Sequence, residues 1–132
     1  MPSKTIRAFY IDPTTNTAEP RIIEDKLDTF YELLHCRCID IVTRNIGVRG
    51  RPFSIICDDE GTFADDPRIS AIDNIGRAML VGALLIVGPA DDDGELTGLT
   101  STDVRHIRKY VTHLSTRKHP EGWQMLTTCE YC

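Results

Sequence analysis

A chain of 132 residues is long enough for one domain with a genuine core. With 41% hydrophobic and 27% charged residues it has the composition of a folded globular protein, which argues against global disorder. Its net charge is −5, from 20 acidic against 15 basic residues; this disfavours general nucleic-acid binding, which needs a net basic face to displace counterions, but leaves room for a local basic site.

Ile6–Ile11 (IRAFYI) predicts a first strand. Asp12-Pro13-Thr14-Thr15-Asn16 is turn chemistry, because Pro fixes φ and Asp or Asn bonds its own backbone. Arg21–Glu24 then returns as the second arm of a hairpin. Asp25 is placed to cap a helix over Lys26–His35, whose Leu27, Phe30, Leu33 and Leu34 make one apolar stripe. Cys38–Val42 and Phe53–Cys57 read as strands, joined by a Gly- and Arg-rich loop or bulged hairpin end, Arg44–Pro52.

Asp58-Asp59-Glu60-Gly61 is an acidic turn, and Thr62–Ile69 is expected to be irregular, broken by Pro67. Asp73–Leu80 is expected as a short helix capped by Asp73 and ended by Gly82. Ala83–Gly88 is a continuous apolar run and predicts a strand in mid-sheet. Asp93-Gly94 signals a tight turn. Thr100-Ser101-Thr102-Asp103 resembles a capping box, opening a helix along which Val104, Ile107, Val111 and Leu114 line one face.

Strands outnumber helices, and the order lacks the regular alternation of a doubly wound parallel sheet. The expectation is a single α+β domain, a mostly antiparallel sheet with two or three helices packed on one face. Residues 1–114 form the domain, and 115–132 are an appendage carrying a C-x2-C pair, with Pro120–Gly122 as the break.

The segments ALLIVG, DDDGEL and LTSTDVRHIRKY, with FSIICDDEG and DNIGRAM upstream, resemble a family of short domains of unknown function common in bacteriophages and mobile elements. The resemblance runs from about Ile6 to Leu114 and implies an α+β fold and a phage or mobile-element origin. It carries no catalytic residues over. The basic RNIGVRGRP loop and the cysteine-bearing tail depart from the family pattern, so function is sought there first.

In the tail and at the helix-to-strand junction, Cys36, Cys38, Cys129 and Cys132 supply four candidate thiolates for a structural zinc, with His35 and His119 as substitutes. The plain alternative is that Cys36 and Cys38 pack as small residues and the tail thiols are incidental. Cys57 lies mid-strand and reads as core. No leader is visible in Met1–Tyr10, and the longest apolar stretch, Met79–Val87, is about half of what crosses a bilayer. A cytoplasmic location, with reduced thiols, is the expectation.

Arg44, Arg49 and Arg51, with Gly47 and Gly50, form the candidate ligand site. Guanidinium forks match phosphate and carboxylate, and glycines let backbone N–H groups approach an anion. The plain alternative is a solvated loop whose arginines pair with aspartates. The acidic groups Asp58–Glu60, Asp65-Asp66 and Asp91–Asp93 with Glu95 admit a DNA-mimicking surface or a dock for a basic partner, although most charge runs are solvated turns. His106, Tyr110 and His113 are expected on the last helix as surface or pocket-lining residues. No activated nucleophile or metalloprotease motif is present. The leading expectation is therefore a non-catalytic accessory protein that binds a host protein or sequesters a small anionic, nucleotide-like ligand. The alternatives are a zinc-stabilised structural or regulatory module and an acidic inhibitor that imitates DNA.

Overall fold

Strand β1 (Thr5–Asp12) pairs with β2 (Thr17–Glu24) as the expected antiparallel hairpin, in register from Thr5 with Glu24 to Asp12 with Thr17. A computed structural model describes residues 4–47, 52–59, 68–73 and 78–128. Helix α1 (Leu27–Leu34) follows; Lys26 rather than Asp25 occupies its N-cap, with no side-chain cap bond. Strands β3 (Ile39–Asn45) and β4 (Pro52–Asp58) form a second hairpin closed by the Asn45–Pro52 pair. Strand β7 (Leu84–Val87) lies between β1 and β4, antiparallel to both. The first sheet therefore runs β2-β1-β7-β4-β3. All four β7 residues are fully buried, as its uninterrupted apolar run requires of a strand covered on both faces.

A second sheet runs β6-β5-β9-β8. It comprises β5 (Ile69–Ile72), β6 (Ala78–Val81), β8 (Val111–Leu114) and β9 (Trp123–Thr127). Only β5 and β9 pair in parallel among the described strands. Three expectations are corrected here. Of the helix expected over Asp73–Leu80, the described residues 78–80 belong instead to strand β6, and Asp73 lies outside any helix. The last helix, α2 (Ser101–Arg108), stops short of Val111 and Leu114, which belong to β8. The segment read as an appendage contributes β9, inserted between β5 and β8 with Trp123, Met125 and Leu126 buried.

Alternation along β1 separates two cores. Ala8 and Tyr10 pack with Phe30 and Leu34 of α1, whereas Phe9 and Ile11 pack with Val104 and Ile107 of α2. The two helices thus cover opposite faces of the first sheet, not the single face expected. Ala71 of β5 and Leu126 of β9 join the α2-side cluster, so the second sheet packs on that face as well. The domain is mostly antiparallel sheet with two helices among the described residues.

Candidate functional site

Arg44 lies on β3, paired across the hairpin with Phe53, and its Nη1 donates to the Thr43 carbonyl at 2.8 Å. Arg49 and Arg51 lie outside the described residues. The chain on the near side of that connection is held by α2. His106 Nε2 donates to the Ile46 carbonyl at 2.6 Å, and its ring stacks 6.2 Å from Phe53 and sits 5.3 Å from Tyr110. Gly47 adopts φ +80°, and a Cβ there would collide with the Tyr110 ring. Glycine is required at this point by both its backbone angle and the close approach. His106 and Tyr110 therefore serve the base of the hairpin end, a role their spacing alone does not reveal. His113 is exposed on β8, apart from them.

Farther along the same hairpin, a cavity of about 190 Å³ lies between β3, β4 and β6, lined in part by Asp40, Val42, Cys57, Met79 and Leu80. The Cys57 thiol donates to the Asp40 carbonyl at 3.6 Å. Burial first, and the Asp40 carboxylate second, push its pKa up to about 11, against a smaller opposing pull from Arg44. A thiol so raised stays protonated near neutrality and is not an activated nucleophile.

Cys36 is half-buried and Cys38 exposed, and neither forms a disulfide among the described residues. Cys129 and Cys132 lie outside the described residues. No group of three or more His, Cys, Asp or Glu side chains is arranged to hold a metal among the described residues. The two substitute ligands are engaged elsewhere: His35 Nε2 lies 3.5 Å from Asp12, and His119 Nδ1 lies 3.4 Å from Glu121.

Asp12, expected as turn chemistry, also belongs to a buried polar knot. Its Oδ1 accepts the Thr14 N–H at 2.9 Å. The Tyr10 hydroxyl sits 2.7 Å from the Leu33 carbonyl and 3.2 Å from Asp12 Oδ2. Burial, then the Asp12 charge, push the Tyr10 phenol up to about 12. The signal available in sequence is the i, i+2 placement of Tyr10 and Asp12, which puts both on one face of β1. The knot ties the hairpin to the C-terminal end of α1.

In the acidic segment, Asp91 Oδ1 accepts the N–H groups of Asp93 and Glu95, each at 2.9 Å, and Gly94 takes φ +79°. The first carboxylate of the run thus builds its own turn. Glu60, Asp65 and Asp66 lie outside the described residues. No helix among the described residues is long and apolar enough to cross a membrane.

Comparison with known proteins matches residues 6–114 to a family described as a domain of unknown function, DUF3846. No curated protein and no solved structure matches the chain. The match covers well over half of the chain, from within β1 to the end of β8, and leaves β9 beyond it. The chain belongs to the DUF3846 family of domains of unknown function.

Proposed function

We propose that this domain is a non-catalytic binding module that takes a small anionic, nucleotide-like ligand at the β3–β4 hairpin end, through Arg44, Arg49 and Arg51. The observation that carries the reading is the anchoring of that end. The His106–Ile46 hydrogen bond and the Tyr110–Gly47 contact fix one stem of the connection, and the Asn45–Pro52 pair closes it. A fixed stem reduces the ordering entropy lost when ligand contacts form next to it. Guanidinium forks then supply bidentate contacts to phosphate. The protein acts in the cytoplasm as an accessory factor of a phage or mobile element.

A thermal-shift screen against nucleotides and signalling nucleotides tests this. At a ligand concentration of about 100 Kd the folded state gains roughly 2.7 kcal/mol, a readily measured rise in Tm. The triple variant Arg44→Gln, Arg49→Gln, Arg51→Gln should lose the response. Absence of any stabilisation, or an undiminished response in the triple variant, contradicts the reading.

A further inference from the structure

On the α2 side of the first sheet, β2 extends beyond the cover that the helix provides. Arg7 and Phe9 of β1 point to that side, since Phe9 packs with Val104, and their cross-strand partners are Ile22 and Pro20. Ile22 is 64% exposed. Between helix and overhang lies a cavity of about 220 Å³ lined by Arg7, Pro20, Ser101 and Val104. The chain entering α2 is drawn tightly onto β1 here: the Leu99 N–H donates to the Arg7 carbonyl at 2.8 Å. A Cβ on Gly98 would sit 3.0 Å from the Arg7 nitrogen.

The Arg7 guanidinium lines this groove, and that of Arg108 lies on the same side of the sheet, over Phe9. Arg7 Nη1 donates to Ser101 Oγ at 3.2 Å. The Arg108 guanidinium lies 5.8 Å from the centroid of the Phe9 ring, and Phe9 pairs across the strands with Pro20. Neither has a carboxylate partner among the described residues, whereas Arg21 pairs with Glu19 and Lys26 with Glu24. Among the described residues, Arg7 and Arg108 thus present positive charge without a carboxylate partner on the apolar α2 side of the sheet, in a chain of net charge −5. Asp103 is occupied by the capping box, accepting the Thr100 N–H at 3.0 Å.

We propose that this groove is a second ligand site, for a single phosphate or carboxylate group borne on a small apolar body. Arg7 and the Ser101 hydroxyl hold the anion, and Arg108 closes the far side. Pro20, Ile22 and Val104 take the apolar part. The site shares no residue with the β3–β4 hairpin end, so either can fail without the other.

The test is an amide-resolved NMR titration of the isotope-labelled full chain with phenyl phosphate, benzoate, inorganic phosphate and benzyl alcohol. Saturable shifts are expected at Arg7, Ser101 and Val104 with phenyl phosphate or benzoate, with a Kd below about 1 mM. Which of the two binds more tightly identifies the anion. Inorganic phosphate lacks the apolar body and benzyl alcohol lacks the charge, and each should bind about tenfold or more weakly. Arg7→Gln and Arg108→Gln should each weaken binding about tenfold, whereas Arg44→Gln should not. Arg108 is exposed, so its variant decides the matter if Arg7→Gln does not fold. No saturable shift with either aryl anion, benzyl alcohol binding equally well, or unchanged affinity in Arg108→Gln overturns the proposal.

Discussion

Tyr10 carries a pH signature that single-residue chemistry makes explicit. Its phenol titrates near 10 when unfolded and near 12 in the fold. Below pH 10 both states hold the proton, so the group adds no slope. Between pH 10 and 12 the unfolded state releases its proton first, and stability falls as pH rises. Urea midpoints measured from pH 9 to 11.5 should therefore decline, and Tyr10→Phe should flatten the upper part of that decline; an unchanged slope contradicts the assignment. Cys57 has the same sign one unit lower, from 9 unfolded to about 11 folded, and accounts for slope remaining in the variant. The same burial predicts that a maleimide at pH 7.5 modifies exposed Cys38 rapidly and leaves Cys57 untouched in the native state. Peptide mass mapping reads both, and rapid labelling of Cys57 would contradict its burial. Neither shift was legible in sequence. The i, i+2 spacing puts Asp12 and Tyr10 on one face of β1, but the Leu33 carbonyl that completes the knot comes from α1, 23 positions away.

At the scale of elements, legibility followed local completeness. The β7 run reads correctly because a strand buried on both faces needs no alternation, and the α2 start reads correctly because both halves of the capping box lie within four residues. Thr100 Oγ accepts the Asp103 N–H at 3.0 Å, and Asp103 answers by accepting from the Thr100 N–H. Thr100→Ala should cost about 1 kcal/mol of stability by urea unfolding, and a loss within error of zero would show the cap to be idle. The misread elements are those defined by distant partners. Val111 and Leu114 continue the helical spacing of Val104 and Ile107 by coincidence, yet they pair with Leu126 and Trp123 of β9. The β6 segment offers four residues with no alternation, and its partner β5 follows a proline-broken stretch. β9 is short and follows a Pro-Gly break, so only its pairing with β5 and β8 defines it. The anchoring of the hairpin end was likewise hidden, because His106 and Ile46 are 60 positions apart.

For the whole molecule, the second sheet makes the chain beyond Leu114 part of the architecture. Leu126 is fully buried in the cluster shared with Phe9, Ile55 and Ile86, and β9 separates β5 from β8. Leu126→Ala should cost about 2–5 kcal/mol, and truncation after Leu114 should broaden or abolish cooperative unfolding. A truncated chain with the wild-type urea midpoint would show that β9 is dispensable. On the proposed reading, a net-acidic chain with Arg44, Arg49 and Arg51 close together in sequence captures an anion at a defined site rather than binding polyanions broadly. On the proposed reading the hairpin end is the principal ligand site. Equilibrium binding of a nucleotide panel to the wild type, to the Arg44/Arg49/Arg51→Gln variant and to Arg108→Gln tests it most directly. At least one nucleotide should bind with Kd below about 1 mM, weakened about tenfold or more in the triple variant and unaltered in Arg108→Gln. Failure of every nucleotide to bind, or wild-type affinity in the triple variant, would contradict it.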